Sequence, residues 1–530
     1  NGAFAGGTGA NGEPGTSDGN KSLIVLDAGA RITADARIKS LSVESGASLE
    51  IEDNVAFVLR QGIVNNGEIF LGENTSLVQE GSSSYVNSGS GTYEILRSGW
   101  SNINAANFFS SPVKDAPLID IPASGHLGVF HNTNPCGIYV FNASTQAWKY
   151  DYPIGTTADC GGGPLQFNGN HAYTDGVADN LMDVGRGYLV PGSPDMERIF
   201  VGNEINNGEY FIPIHWNTGG NNVNLLGNPY PSGIDIFNFL ATNEFELEDG
   251  FIYLLDMPGT GGYGYGVVNM FGQYVGGQNG MGTHTTPPTS IASGQGFYVL
   301  ADEFSSGAIY MDNFMRTGAN NQFYKAQETI EHVEARFFLS NKDNETQSMV
   351  ISINENATSG KDWSYDAPLP KLWSDMSLSS ELEGRAMLIQ TFHPNDFVNT
   401  TEIPIQIIVP TPGKYRLNMG LSNWPENLQL FLKNVSSGQI ISIENEYVFN
   451  VQNIDDVKNV YSLVISNQGA KSGNTSSSQG MKIYQLGEEL TIVPSEDLGD
   501  NQEISILDSR GVNIHTFGKG WSSYTYNTDQ

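Results

Sequence analysis

The sequence predicts an all-β, multidomain protein. Three observations carry that expectation. Apolar and polar residues alternate in short runs, the period of half-buried strands. Glycine, asparagine and proline turn signals separate those runs. Glycine supplies 62 of 530 residues, charged residues only 16% and hydrophobic residues 39%. That balance suits a turn-rich extracellular protein with real cores, long enough for roughly three or four domains.

Residues 1–20 are mostly Gly, Asn, Ser and Asp and read as a flexible lead-in. The opening Asn1-Gly2-Ala3-Phe4 lacks the basic and apolar segments of a signal peptide, so the chain reads as a mature protein or part of a longer one. Residues 21–100 carry closely spaced strands, as in Ser40-Leu41-Ser42-Val43 and Glu68-Ile69-Phe70-Leu71. Inward apolar residues with Gly or Asn at the corners predict coils of a short β-helix, with a meander as the alternative.

Residues 101–325 read as a Gly- and aromatic-rich β domain. Gly185-Arg186-Gly187-Tyr188-Leu189-Val190 and Gly294-Gln295-Gly296-Phe297-Tyr298-Val299 are near copies, which suggests two related half-units, each with a Gly-kinked strand. One helix is expected near 234–241, with Ser232 as its cap and Asp235 in its first turn. Residues 330–468 predict a β-sandwich, with alternation at 334–340, 349–353, 403–409, 413–419 and 461–465. Residues 469–480 are a Gly/Ser linker, and 481–530 hold a last group of short strands.

The most particular pattern is Trp216, then Asn224-Leu225-Leu226-Gly227-Asn228-Pro229-Tyr230-Pro231-Ser232-Gly233-Ile234-Asp235, then Ile291–Val299 and Met311-Asp312-Asn313-Phe314-Met315-Arg316. Asn107-Phe108-Phe109-Ser110-Ser111-Pro112-Val113 precedes it, and Ile504-Ser505-Ile506-Leu507-Asp508 with Gly511 follows. Together these resemble the C-terminal region of large secreted surface proteins of Bacteroidetes-type bacteria, exported by the type IX secretion system. The resemblance spans roughly 101–530 and is densest over 216–316.

The resemblance implies a location on the cell surface of a Gram-negative bacterium and a structural or adhesive role. It makes 481–530 a partial sorting domain whose strands, through Ile483, Tyr484, Ile492, Ile504, Ile506 and Gly511, engage an outer-membrane shuttle barrel and the translocon. The family's Pro-Asn-Pro phrase and its final Ser-Gly-aromatic strand are missing from this sequence. A place left by that strand would let subunits self-associate into a filament by strand addition. A carbohydrate-binding or carbohydrate-active secreted protein is the other alternative.

Fifty-eight acidic residues against 25 basic ones give a net charge of −33. No Lys/Arg cluster is present, so nucleic acid is not an expected partner. Cys136 and Cys160 form an even pair, which in an exported chain predicts one disulfide; the alternative is two buried thiols. Asp175, Asp179 and Asp183 recur at four-residue spacing, and such oxygen ligands suit a structural calcium, with solvated loop acids as the alternative. No other cofactor is expected.

Tyr263, Tyr265 and Tyr274 sit in or beside a Gly-rich segment and are candidates for an aromatic contact surface, for example toward a surface glycan; covering the domain's own core is the alternative. The histidines show no zinc spacing, no Gly-x-Ser-x-Gly elbow occurs, and Gly261–Gly266 lacks the Lys of a phosphate loop. The sequence singles out no catalytic residue.

Overall fold

The computed structural model describes residues 5–81, 86–99, 106–117, 139–150, 181–191, 197–218, 222–256, 264–275, 288–318, 332–343, 345–369, 376–398, 400–443, 446–454, 458, 460–467, 481–486, 489–494, 504–507, 513–517 and 524–527. The protein is all-β; the one α-helix among the described residues is Ile236–Thr242. It divides into two compact units, the first built on Asn1–Ile330 and the second on Glu331–Leu369 and Trp373–Gln530.

The first unit opens with a parallel β-solenoid of three faces. One face stacks Ser22–Val25, Ser40–Val43 and Ile63–Asn65. The second stacks Ala30–Ile32, Ser48–Ile51, Glu68–Leu71 and Thr92–Ser98. The third stacks Ala36–Ile38, Ala56–Leu59 and Ser76–Gln79. Ser48 pairs with Glu68 and Ala56 with Ser76, so each of these coils takes 20 residues.

Alternation decides what faces inward: Leu49, Ile51, Phe57, Leu59, Ile69 and Leu71 are buried in one core. At one corner Asn54 and Asn74 both hold a positive φ, and Asn74 Nδ2 donates to Asn54 Oδ1 at 3.1 Å, so stacked asparagines turn successive coils.

The lead-in expected to be flexible is ordered from Ala5 onward. Its anchor is Asp18, a buried carboxylate that accepts from Thr8 N at 2.7 Å, Thr8 Oγ1 at 2.9 Å and Gly15 N at 2.8 Å, and pairs with Lys21 Nζ at 2.7 Å. Lys21 first, and then the backbone donors, hold its carboxyl well below the usual range. At the other end, Glu197–Gly202 joins Thr92–Ser98 in antiparallel fashion and closes the stack.

The remainder of the first unit contains the same sheet twice. Ala106–Phe109, Tyr188–Pro191, Tyr139–Asn142 and Ala147–Tyr150 lie in that order in one sheet. Val223–Gly227, Gly296–Leu300, Phe251–Asp256, Gly264–Asn269 and Tyr274–Val275 lie in that order in the other. All these pairings are antiparallel and the registers agree: Phe108 faces Leu189 as Leu225 faces Tyr298, and Asn107 faces Val190 as Asn224 faces Val299. The near copies in the sequence are therefore equivalent strands. Gly185 (φ +73°) and Gly294 (φ +70°) take the same left-handed turn ahead of them, a conformation glycine adopts without strain.

In the second unit an 11-stranded sheet bends around one core. Val333–Ser340 pairs with Thr346–Ile353 and with Gly413–Ser422, and Thr401–Ile408 pairs with Tyr461–Ser466. Tyr447–Val451 ends the strand order, far along the sheet from Tyr461–Ser466, yet Tyr447 and Phe449 pack their rings on Tyr461. The sheet folds back on itself as a sandwich does.

Two further small sheets follow, Met481–Leu486 with Glu489–Pro494 and Tyr524–Asn527, and Ile504–Leu507 with Asn513–Phe517. No helix among the described residues is long and apolar enough to cross a membrane.

Candidate functional site: a buried arginine seam

The residues of the signature pattern meet at the solenoid's closing end. Arg97 lies on Thr92–Ser98 in phase with the inward Tyr93 and Ile95, so alternation drives a guanidinium into the core. Each of its three nitrogens finds a carbonyl oxygen: Nε reaches Ser293 O at 3.2 Å, one terminal nitrogen reaches Gly72 O at 3.2 Å and Leu96 O at 2.6 Å, and the other reaches Thr75 O at 2.7 Å.

Arg316 is the second pin. It donates to Ser232 Oγ at 3.0 Å, Asn207 Oδ1 at 2.9 Å, Asn313 Oδ1 at 3.2 Å and the carbonyl of Leu77, and its guanidinium sits 5.0 Å from the Tyr230 ring centre. Burial lowers both guanidinium pKa values to about 10, so both stay charged at neutral pH.

Asn228 ties the two halves of the pattern together. Its Nδ2 donates to Ser232 O, Ile291 O and Ala292 O at 2.8–3.0 Å, and its Oδ1 accepts from Tyr230 N at 2.9 Å. Leu77 N donates to Pro231 O at 2.7 Å, which docks the last coil directly on the Pro229-Tyr230-Pro231 turn. Tyr230 OH donates to Gly208 O at 2.7 Å, and burial pushes its pKa far up. The polar atoms of this seam bond to one another. The arrangement clamps the solenoid to the duplicated sheets.

The helix differs from expectation in its cap. Asp235, not Ser232, is the N-cap: its carboxylate accepts from Asn238 N at 2.8 Å. Ser232 is buried, and its hydroxyl accepts from Arg316.

Of the calcium candidates, Asp175 and Asp179 lie outside the described residues. Asp183 sits in a turn where Tyr188 OH accepts from Asp183 N at 2.9 Å. No group of three or more His, Cys, Asp or Glu positioned to hold a metal occurs among the described residues. Cys136 and Cys160 lie outside the described residues.

Among the aromatic candidates, Tyr263 also lies outside. Tyr274 is 5% exposed, because Tyr274–Val275 folds back on Gly264–Asn269; it belongs to the core and not to a contact surface. Tyr265 packs on Tyr298 at 5.5 Å between ring centres. Tyr298 in turn meets Phe108, Phe141 and Trp148 of the other sheet at interplanar angles of 81°, 77° and 61°. Edge-to-face rings of this kind join the two half-units and do not form a coplanar row for a sugar.

The sorting-strand candidates Ile483, Tyr484, Ile492, Ile504 and Ile506 all fall on strands, with Ile483 opposite Ile492 and Ile504 opposite Phe517. Gly511 lies outside the described residues. Tyr524–Asn527 pairs with Glu489–Pro494 in the three-stranded sheet.

Sequence reasoning overlooked Arg97, although its inward phase beside Tyr93 and Ile95 was the available signal. A family model described as a domain of unknown function, DUF8693, matches residues 17–464, and the chain belongs to that family. No curated protein and no solved structure matches it.

Proposed function

We propose that this chain is an extracellular surface protein with a structural or adhesive role, and that 481–530 is the sorting module that sends it through a type IX secretion system. The observation that carries the reading is one of organisation. The family match ends at residue 464, ahead of the Gly/Ser linker 469–480 and the separate small sheets beyond it. On this reading the last strands, which lie beyond the family match, serve as the address. The partners on this reading are an outer-membrane shuttle barrel and the translocon. The body then serves a structural role, which suits a solenoid clamped to the duplicated sheets by a buried polar seam.

The test is localisation in cells. With 481–530 removed, or with the translocon disabled, the body should accumulate in the periplasm; unchanged surface delivery would overturn the reading. An oxidising destination also pairs Cys136 with Cys160. Thiol titration of the unfolded chain should find no free thiol before reduction and reactive thiol after it.

A further inference from the structure

We propose that an exposed phenylalanine surface on the first unit docks a protein segment that presents lysine or arginine side chains around an aliphatic centre. The proposal does not rest on the export reading.

Four phenylalanines stand largely in solvent: Phe211 at 68% exposure, Phe245 at 83%, Phe304 at 84% and Phe314 at 72%. Large rings gathered this way on a folded surface mark an interaction site, whereas single exposed apolar residues are ordinary. Backbone and side-chain bonds link the segments that carry the four. The Phe211 ring lies 5.2 Å from that of Tyr310. Tyr310 is bonded through its N–H and its carbonyl to the Asn243 side chain, at 2.8 and 2.9 Å, two residues from Phe245. The Glu246 carboxylate accepts from Ser305 Oγ at 2.6 Å and Ser306 N at 2.7 Å, which sets Phe245 beside the turn that carries Phe304. Asp312 accepts from Tyr310 OH at 3.1 Å and from Phe314 N at 3.0 Å, which ties the backbone that carries Phe314 to Tyr310.

Charge chooses the occupant. Between Arg198 and Arg316 the chain has no lysine or arginine, while Glu209, Glu244, Glu303 and Asp312 lie along the same segments. Partial burial, and then the carboxylates of Asp312 and Glu209, push the Tyr310 hydroxyl up to about 12, a sign of the negative field there. A second copy docked through the same face would set carboxylate against carboxylate, and an anionic lipid or nucleic acid would meet the same repulsion. A basic segment with an apolar centre satisfies both the rings and their rim.

The experiment uses the full chain and a fluorescein-labelled synthetic peptide of alternating lysine and leucine. Controls are a lysine–serine and a glutamate–leucine peptide of equal length. Fluorescence anisotropy should show the lysine–leucine peptide binding best. Affinity should fall roughly tenfold or more in Phe245→Ser/Phe304→Ser and in Glu244→Gln/Glu303→Gln. All four side chains are exposed, so the variants keep their fold, which circular dichroism checks. Unchanged affinity in the phenylalanine pair would overturn the proposal, as would equal binding of the glutamate–leucine peptide. Sedimentation velocity provides the remaining arm: a concentration-dependent dimer abolished by the phenylalanine pair would mean that a second copy is the occupant, and the proposal would fall.

Discussion

The two half-units of the first unit, 106–191 and 223–300, have the same strand order and register, and they meet reciprocally. Ser110 N donates to Gly294 O and Gly227 N donates to Gly185 O, each at 2.8 Å. Phe109 bridges Gln295, and Leu226 bridges Arg186. In each relation residue i of one half touches residue j of the other, and the equivalents touch in reverse, the logic of a twofold interface within one chain.

The difference lies at the crossing. Gly187 and Gly296 are both glycine because each faces a large partner: an added Cβ would lie 2.6 Å from Leu225 Cγ and 2.7 Å from Phe108 Cβ. Their equivalent neighbours Ser110 and Gly227 are not alike: a Cβ on Gly227 would collide with Ser110 Cβ and Oγ and would also lie 2.8 Å from the Arg186 carbonyl oxygen. A close partner leaves room only for glycine at this place in both halves. One shared space admitted a side chain from only one of them.

The largest expected effect lies in the polar contact of the second half's signature with the solenoid. Arg316→Met leaves the Leu77 carbonyl and the Asn207 and Asn313 amide oxygens without this donor. Asn313 Oδ1 keeps the Gly208 N–H, so the cost falls on the other two acceptors; at about 1–3 kcal/mol for each lost buried partner, a loss of roughly 2 kcal/mol or more is expected. Hydrogen exchange should show protection lost first at the Leu77 amide, which bonds Pro231 O.

A control outside the duplication is the buried carboxylate of Asp366 in the second unit. It accepts from Thr391 N and Asp362 N at 2.7 Å each, yet burial, the leading cause, raises its pKa to about 7. The folded state then binds more protons than the unfolded state between about pH 4 and 7, and stability falls as pH rises through that window. The drop is at most about 4 kcal/mol. Asp366→Asn should flatten that slope in denaturant titrations at pH 5 and pH 7.5 and leave the first unit's response unchanged.

Next come the matched glycines. Gly187→Ala and Gly296→Ala should each lose about 1–3 kcal/mol by overpacking. Near-equal losses in thermal unfolding sharpen the equivalence; a loss at one site only breaks it. The smallest effect belongs to the helix, a feature of the second half alone. Asp235→Ala removes its N-cap and should cost about 1 kcal/mol, read as faster amide exchange at Asn238.

Much of this fold was legible in the residues. Alternation in Leu49, Ile51, Ile69 and Leu71 gave the solenoid's inward phase, and the repeated Gly-x-Gly-aromatic phrase gave the duplication. What stayed hidden depends on long-range partners. Ser232 has the chemistry of a cap, but Arg316, 84 residues later, claims its hydroxyl. The lead-in looked flexible because its order rests on one buried aspartate with four donors around it. Tyr274 looked like loop surface because a two-residue strand carries too little periodicity to announce itself. The seam was visible as a motif and invisible as a clamp, since nothing local to Arg97 names the carbonyls of Gly72, Thr75 and Ser293.

The most direct test of the shared space is a double-mutant cycle across the crossing. Thermal unfolding would be compared for the natural chain, Gly227→Ser, Ser110→Gly and the two substitutions together. The account predicts a large loss for Gly227→Ser, a small one for Ser110→Gly, and recovery of the part of the loss due to Ser110 in the exchanged pair, the Arg186 carbonyl contact remaining. Strictly additive losses would contradict it, and with it the claim that the two halves meet as equivalent copies.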